Sequence, residues 1–276
     1  MRKLAVSVIA LSGLIAGSIA PIVVMAAGGS AHPKGQHWSF GGIFGTYDKP
    51  QLRRGFQVYQ EVCAACHSLR HVAYRNLSAI GLDEKAIEAI AAEKELPGEP
   101  DEEGEATTRK ALPSDKFVPP FANENAARSA NNGALPPDLS LMTKARIGGP
   151  DYLYALLTGY GRKQPKYEVD GHGEVQLDEE KKPVPFKLGE GLHYNPYFPG
   201  LKIAMGPPLS DEGVEYADKT KATVAQQAKD VTAFLQWAAD PYLEDRKRMG
   251  IKVILFLIFL TGLLYAYKRK VWAKLH

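Results

Sequence analysis

The sequence predicts a mostly α-helical domain with long loop insertions, followed by one C-terminal transmembrane helix. Apolar residues recur at helical spacing in several segments, whereas the stretches between them are rich in Gly, Pro and charge. The helical segments are residues 83–94, 151–158 and 222–239, and the insertions are residues 95–120 and 160–200. A chain of 276 residues is long enough for one large domain or two small ones.

The composition excludes several broad classes of protein. Hydrophobic residues make up 45% and charged residues 24% of the chain, which is ordinary for a globular protein and excludes a disordered or collagen-like one. Two cysteines cannot build a disulfide-rich scaffold. Residues 27–243 carry 24 Lys and Arg against 29 Asp and Glu, a net charge of −5. Because the positive charge lies at the two ends, we expect the folded part to bind no nucleic acid.

The N-terminal segment, residues 1–26, has the pattern of an export signal peptide. Two basic residues open the chain, an apolar run follows to position 20, and small residues around Ala26 offer a cleavage site. The segment lacks the many Arg and Ser residues of an organelle transit peptide, which favours a bacterial secretory route. An uncleaved N-terminal anchor is the alternative, because residues 21–25 extend the apolar run.

The C-terminal segment predicts a membrane anchor. Residues 253–267 contain no charge, and with the two residues before them they make a helix of about 26 Å, close to a hydrocarbon core of about 30 Å. A buried core helix is the alternative, but the basic clusters on both sides could not be buried cheaply. The positive-inside rule then predicts an exported domain at 27–243, a transmembrane anchor in the lipid bilayer at 244–270 and a cytoplasmic tail at 271–276.

The strongest motif is Cys-Ala-Ala-Cys-His at residues 63–67, which has the spacing of covalent c-type haem attachment. Two thiols one helical turn apart can form thioethers with both vinyl groups of one porphyrin edge, and the adjacent imidazole then lies below the iron. A redox disulfide and part of a zinc site are the alternatives. A zinc site would need four ligands, and the chain has no second cysteine pair. We therefore expect one covalent haem c on Cys63 and Cys66, with His67 as an iron ligand.

The second axial ligand is a choice among several residues. His71 lies one turn beyond His67 on the same side of the iron, so it cannot reach the opposite face. Met205 lies in an apolar loop that prolines prevent from forming a helix, and such a rigid loop suits a thioether ligand. Histidine–methionine ligation raises the reduction potential and leaves no open coordination site. We expect Met205 to be the ligand, and the alternatives are Met142, His172 and His193.

Local patterns predict three further features. Leu52, Phe56, Tyr59 and Cys63 repeat at three- and four-residue spacing, which indicates a helix that carries the cysteine motif. Residues 166–176 suggest a hairpin within the second insertion. The acidic run between residues 93 and 105 is typical of a solvated loop, and docking of a basic partner is its functional interpretation.

Five stretches of the chain resemble the cytochrome c1 family, whose members are the haem subunits of the cytochrome bc1 complex. They follow one another in the order found in the family and span most of the chain after the signal segment, which is far more specific than a lone CxxCH motif. The stretches are RRGFQVYQEVCAACHS at 53–68, NNGALPPDLS at 131–140, KARIGGPDYLYALLTGY at 144–160, YNPYFPGLKIAMGPPL at 194–209 and DVTAFLQWAADPYLEDRKRMGIKV at 230–253.

The resemblance implies a class I-like cytochrome c haem domain with defined site residues. It implies that His67 and Met205 ligate the iron and that Arg146 faces a haem propionate, a carboxylate that needs a paired cation when buried. A surface charge is the alternative for Arg146. The chain departs from the family at Gly206, where proline or alanine is common. The other residues that match positions lining the haem pocket are Asn131, Pro136, Pro137 and Tyr152.

The resemblance also implies a function and partners. The haem would take electrons from the Rieske iron–sulfur protein and pass them to a soluble or membrane-tethered c-type cytochrome. The chain would have no catalysis of its own, because quinol oxidation belongs to the cytochrome b subunit against which the anchor packs. The expected setting is a dimeric complex in the bacterial inner membrane, with the haem domain on the periplasmic side. The alternatives are a membrane-anchored c-type cytochrome that serves another oxidase or reductase, and a haem enzyme with an open iron site.

Overall fold

The computed structural model describes residues 30–170 and 173–273, and it confirms the mostly α-helical fold class. The predicted signal peptide at 1–26 lies outside these residues. The helices are α1 (Lys49–Val58), α2 (Glu84–Ala92), α3 (Glu124–Ala130), α4 (Met142–Ala145), α5 (Gly149–Thr158), α6 (Val224–Ala239) and α7 (Leu243–Trp272). Two antiparallel strand pairs accompany them, formed by β1 (Glu95–Pro97) with β2 (Thr108–Lys110) and by β3 (His193–Tyr194) with β4 (Lys202–Ile203).

The helix predicted to carry the cysteine motif is confirmed as α1, which continues into one π turn at Tyr59–Cys63. The Asp48 side chain accepts a hydrogen bond from the Gln51 backbone and caps the start of α1, as expected for an Asp at this position. The predicted helices at 83–94, 151–158 and 222–239 are confirmed as α2, α5 and α6. A 3₁₀ helix at Tyr74–Ile80 was not anticipated.

The centre of the core is the crossing of α1 and α6. A Cβ at Gly55 would collide with the backbone carbonyl of Asp230, so the two backbones meet at a position where only glycine fits. The Asp230 carboxylate is fully buried and accepts hydrogen bonds from Arg54 Nε at 2.9 Å and Gln51 Nε2 at 3.2 Å. These contacts fix the position of α1, and with it the cysteine motif at its end.

Aromatic side chains fill the space beside this crossing. The Phe234 ring of α6 lies 5.6 Å from the Phe56 ring, 5.8 Å from the Tyr59 ring and 5.6 Å from the Trp237 ring. Phe117, from the segment after β2, packs edge-on against Phe56 and Tyr59. Pairs at these distances add to the free energy of burial, so the π turn that leads to the motif rests on a rigid surface.

The first insertion is largely exposed over the acidic run at 93–105, which was expected to be solvated, and is partly buried after it. Its beginning forms the short, exposed hairpin of β1 and β2, while Ala111 and Phe117 are buried in the main core. The Phe117 backbone N–H donates to the Val72 carbonyl oxygen at 3.0 Å. Apolar residues within a segment rich in Pro and acid therefore anchor it, which composition alone did not indicate.

The predicted hairpin at 166–176 is confirmed as part of a longer arm. Val169 pairs with Val175, and the pairing continues between Leu177 and Pro183 in a second reversal of the chain. An ion pair of 2.6 Å between Lys202 Nζ and Glu168 Oε1 joins the arm to β4.

Helix α7 contains an apolar window of mean hydropathy 2.2, none of it buried within the chain, and is long and apolar enough to cross a membrane. Its first turns are bonded to the segment before α1. Glu244 Oε1 accepts from the Tyr47 backbone N–H at 2.8 Å, and Lys247 Nζ donates to the carbonyl oxygens of Phe40 at 2.7 Å and Gly45 at 3.2 Å. We call these contacts the α7 clamp.

Candidate functional site

The cysteine motif lies on a single turn at the end of the π turn. The Ala64 N–H donates to the Tyr59 carbonyl oxygen at 2.8 Å, and the N–H groups of Cys66 and His67 both donate to the Cys63 carbonyl oxygen, at 3.1 and 2.9 Å. Cys63 packs against the main core, whereas Cys66 is exposed. One thiol therefore lies at the protein interior and the other at the surface, about one helical turn apart.

The His67 ring is held by a backbone carbonyl. Its Nδ1 lies 2.8 Å from the Pro137 carbonyl oxygen, and because that oxygen can only accept, Nδ1 carries the proton. The lone pair of Nε2 is then available to a metal, which is the tautomer that a ligating histidine needs. Burial lowers the pKa of His67, which favours the neutral ring. The Tyr59 hydroxyl donates to the His67 carbonyl oxygen at 3.1 Å and fixes the backbone as well.

Asp138 joins the loop that provides this carbonyl to the segment after the motif. Its carboxylate accepts from the Ser68 hydroxyl at 2.8 Å and from the backbone N–H groups of Arg70 and Ser140, each at 2.9 Å. Burial acts to raise the pKa of Asp138, but the hydrogen bonds outweigh it and hold the pKa below its usual value. We call residues 68–71 and 138–140 the Asp138 tie.

Two further hydrogen bonds join the same two segments. The Leu139 N–H donates to the Ser68 carbonyl oxygen at 2.9 Å, and the Ser140 hydroxyl accepts from the His71 N–H at 3.0 Å. Sequence reasoning missed Asp138, Ser68 and Ser140. The Asp-Leu-Ser turn after two prolines is a signal for the bond between Asp138 and the Ser140 backbone, because Asp in such a position hydrogen-bonds nearby backbone, but it carries no signal for the contact with Ser68.

Met205 lies between the two apolar clusters of the domain. Its half-buried side chain packs against the main core and against the smaller cluster of Tyr152, Leu156 and Ile203. The Tyr160 hydroxyl donates to the Met205 carbonyl oxygen at 2.9 Å, which fixes the loop at the methionine itself. Strand β4 ends two residues before Met205, and Pro207 and Pro208 follow it, so the thioether is presented by a constrained backbone.

Arg146 lies beside Tyr152. Burial raises the pKa of Tyr152, and the neighbouring Arg146 guanidinium acts in the opposite direction. Within the part of the chain that the structure describes, no carboxylate forms an ion pair with Arg146. A cation next to the Met205 cluster and without a protein counter-ion is suited to an anionic group of a bound molecule.

The remaining predicted pocket residues are Asn131, Pro136 and Pro137. Asn131 ends α3, and its side-chain amide donates to the Ala127 carbonyl oxygen of the same helix at 2.7 Å. Pro136 is half-buried, and Pro137 is exposed and contributes its carbonyl to His67.

The alternative iron ligands have different surroundings. Met142 is buried in the main core. His193 lies close to the Met205 loop, because a Cβ at Gly206 would be 3.2 Å from its Nε2. His172 lies outside the described residues. His71 faces a cavity of about 600 Å³ on the Trp237 side of the domain.

The cysteine chemistry does not favour a redox dithiol. Burial raises the pKa of the Cys63 thiol to about 12, with a smaller contribution from Cys66. Reactive and metal-binding cysteines depend on the thiolate and have lowered pKa values. Among residues 30–170 and 173–273, no group of three or more His, Cys, Asp and Glu side chains could hold a metal ion together.

These residues fit a covalently bound haem. Two thiols lie on one turn, an imidazole bonded through Nδ1 leaves Nε2 unprotonated, a thioether lies in an apolar setting, and Arg146 forms no ion pair with any carboxylate among the described residues. Apolar walls with one nitrogen and one sulfur donor suit an iron that exchanges electrons.

Comparison with known proteins shows the family to which the chain is similar. A family model described as the Cytochrome C1 family matches residues 38–275. "Cytochrome c1" of Rhodospirillum rubrum is 48% identical over 92% of this chain and 95% of its own length. "Cytochrome b-c1 complex catalytic subunit, mitochondrial" of Candida albicans is 46% identical over 87% of this chain and 77% of its own length. "Cytochrome b/c1" of Bradyrhizobium diazoefficiens is 44% identical over 100% of this chain, which spans 40% of that protein.

Proposed function

Because this chain belongs to the cytochrome c1 family, we propose that it is the electron-transfer haem subunit of a cytochrome bc1 complex. The name of the Candida albicans relative places that protein in a b-c1 complex, and the name of the Bradyrhizobium diazoefficiens relative joins cytochromes b and c1. These names support cytochrome b as a partner of this chain. The observation that carries the proposal is the hydrogen bond from His67 to Pro137, which leaves Nε2 available for iron.

One haem c would be held through thioethers to Cys63 and Cys66, with His67 and Met205 as axial ligands. Arg146 would pair with a propionate, since it has no counter-ion in the described chain and lies beside the buried Tyr152. The side chains and backbone that line the rest of the pocket are those of Asn131, Pro136, Pro137 and Tyr152.

The bound group supplies a one-electron couple at iron, and the chain's own residues determine what that couple can do. His67 and Met205 would both bind the iron, which would leave no position for a small ligand. The Pro137 carbonyl keeps the imidazole in one tautomer and one orientation, and the Asp138 tie keeps that carbonyl in place. Tyr160 holds the methionine loop from the other side. Little rearrangement is then needed when the charge at the site changes.

One edge of the site is open to partners. Cys66 is exposed, as are Pro137 and Arg146, and Ile147 next to the arginine is 81% exposed. We propose that the Rieske iron–sulfur protein delivers an electron to this side and that a soluble or membrane-tethered c-type cytochrome removes it.

In this proposal, the charge of the haem domain determines which electron acceptor it prefers. The net charge of −5 over residues 27–243 favours a cationic c-type cytochrome, and the exposed acids of the β1–β2 hairpin contribute to that field. The chain carries out no catalysis of its own, and quinol oxidation belongs to cytochrome b.

Helix α7 would anchor the subunit in the bilayer and pack against cytochrome b. Residues 1–26 would be a signal peptide and residues 271–276 a cytoplasmic tail, with the haem domain on the periplasmic side of a bacterial inner membrane. The complex would be dimeric. Gly262, where nothing lies within 4 Å of an added Cβ, offers a site for close helix approach.

The test is electron transfer by the full chain, purified from cells that mature c-type cytochromes. Extraction with acidified acetone should leave the red pigment on the protein if the haem is covalent. The reduced protein should then reduce a ferric, cationic c-type cytochrome in a stopped-flow experiment and should not bind carbon monoxide. Ready carbon monoxide binding with no electron transfer would instead support a haem enzyme with an open iron site.

A further inference from the structure

A tight loop at residues 39–46 lies beside the first two turns of α7 and carries two exposed apolar side chains. Ile43 is 68% exposed and Phe44 is 84% exposed. The loop is closed by the Thr46 N–H, which donates to the Ser39 carbonyl oxygen at 3.0 Å. A Cβ at Gly45 would collide with the Gly41 backbone, so the reversal requires glycine at this position.

The base of the loop is rigid. Phe40 is buried and stacks on the Trp38 ring at 5.3 Å, and it packs against the Tyr47 ring at 5.5 Å. The Tyr47 hydroxyl donates to the Asp240 carbonyl oxygen at 2.9 Å. The exposed apolar tip is therefore held in place, and it is not part of a loosely packed segment.

The hydrogen bonds of the α7 clamp hold the loop, and with it the tip residues Ile43 and Phe44, beside the first turns of α7. The loop base is bonded at Glu244, whereas the carbonyls on both sides of the tip are bonded at Lys247, three residues further along α7. Three residues of helix advance about 4.5 Å, and Ile251 lies only about 6 Å beyond Lys247. Ile43 and Phe44 thus lie in sequence between the two bonded carbonyls, on a loop that is bonded to α7 just before its apolar part begins.

We propose that Ile43 and Phe44 insert into the interfacial layer of the bilayer that α7 crosses. The inference rests on α7 being a membrane span. Exposed aliphatic and aromatic side chains next to basic residues, here Arg246 and Lys247, are the combination that lipid interfaces favour. Met249, two residues after Lys247 on α7, is exposed as well, so apolar side chains are exposed both on the loop and on the helix turn that follows its attachment. The domain would then contact the membrane at two points, a helix and a loop.

The test is site-directed spin labelling of the full, haem-loaded chain in phospholipid nanodiscs. Single cysteines are introduced as Ile43→Cys, Phe44→Cys, Ile258→Cys and Leu112→Cys, and each is labelled with a nitroxide. The parent chain, whose own cysteines are held in thioethers, measures background labelling. Ile258 reports on the α7 span, and Leu112, exposed in the segment after β2, reports on a water-facing apolar position. Collision with oxygen and with a water-soluble nickel complex is then measured at each label.

We expect the oxygen-to-nickel accessibility ratio at positions 43 and 44 to be several-fold higher than at 112 and to approach that at 258. If positions 43 and 44 behave like 112 while 258 is in lipid, the loop does not enter the membrane and the inference is wrong. If 258 also behaves like 112, the membrane span itself fails. The labels at 43 and 44 could also be exposed to water in nanodiscs and shielded only in the complex with cytochrome b. That result would show that the loop contacts a protein, and it would also overturn the inference.

Discussion

His67 and Pro137 are 70 positions apart in the chain, yet the ring Nδ1 of the first lies 2.8 Å from the carbonyl oxygen of the second. This hydrogen bond is made by a backbone group, so no change of the Pro137 side chain alone removes it. What keeps it in place is the Asp138 tie, where one carboxylate binds the segment after His67 and the segment after Pro137 together. In the proposed haem site, the electronic state of the iron would therefore depend on Asp138, which is not one of its ligands.

We expect Asp138→Ala to raise the haem reduction potential. The substitution removes the acceptor of three hydrogen bonds, and a weaker bond from His67 to Pro137 makes the imidazole a less basic ligand, which disfavours the ferric state. The free energy of unfolding should fall by about 1–3 kcal/mol. Potentiometric titration and chemical denaturation measure the two effects. Asp115→Ala is the control, because Asp115 also accepts from a backbone N–H and an arginine but lies outside the tie. If the Asp138→Ala and parent proteins have equal reduction potentials, Asp138 does not position the Pro137 carbonyl against His67 as described.

We expect Met205→Leu to lower the reduction potential and to allow carbon monoxide to bind the reduced protein, because a thioether ligand is lost and one coordination position opens. Met142→Leu is the matched control. Met142 is a buried core residue, so the swap should cost less than about 1.5 kcal/mol of stability and leave the potential unchanged. If Met142→Leu lowers the reduction potential and Met205→Leu does not, the ligand is Met142. If neither variant changes the potential, the ligand is His193.

Gly55→Ala should destabilise the fold because the new Cβ meets the Asp230 carbonyl and forces α1 away from α6. Overpacking of this kind costs about 1–3 kcal/mol in the free energy of unfolding. Gly250→Ala, also in a helix but with nothing within 4 Å of the added Cβ, should be neutral or slightly stabilising. Thermal unfolding of both variants makes the comparison, and similar midpoints would mean that the α1–α6 approach is looser than described.

Arg54→Leu should be among the most destabilising single changes in the domain. It leaves the fully buried Asp230 carboxylate without its charge partner, and breaking a buried pair in this way costs about 3–5 kcal/mol. Arg109→Leu breaks an exposed pair with Asp115 and should change stability little. Denaturant titration followed by far-ultraviolet circular dichroism separates the two cases. A small loss for Arg54→Leu would indicate that water reaches Asp230.

The on-rate for reduction of a cationic cytochrome should fall as salt rises, because the Debye length shrinks from about 30 Å at 0.01 M to about 8 Å at 0.15 M. Glu→Gln changes at Glu102, Glu103 and Glu105 should reduce both the on-rate at low salt and its salt dependence. The same change at Glu174, Glu179 and Glu190, which removes equal charge from a different region, is the control. Equal effects in the two triple variants would assign the steering to net charge and not to the β1–β2 hairpin.

Local patterns in the sequence predicted α1, α2, α5 and α6 correctly, because each depends on residues within a few turns of one another, whereas α3 was not predicted. Leu52, Phe56 and Tyr59 are buried as their spacing indicated, and α5 and α6 begin within two residues of their predicted starts. The family assignment also followed from contiguous stretches. The sequence also indicated that α7 is able to span a membrane, because this property depends on its length and hydropathy.

Long-range contacts could not be predicted in the same way. Nothing near Asp138 in the sequence indicates that its carboxylate binds Ser68 and Arg70, and nothing near Phe40 indicates a bond to Lys247. The π turn at Tyr59–Cys63 was also missed, because helical periodicity does not distinguish a single wider turn from regular helix. Burial of Ala111 and Phe117 within the acidic insertion depends on the 3₁₀ helix that packs beside them.

The bonds from Glu244 and Lys247 to the chain ahead of α1 have a mechanical consequence. These bonds fasten the first turns of α7 to the domain, so the helix and the domain are expected to move as one body. In the proposed function, an electron carrier mounted in this manner would stay at a constant height above the lipid. Any distance to be closed before an electron is handed over would then have to be closed by its partners.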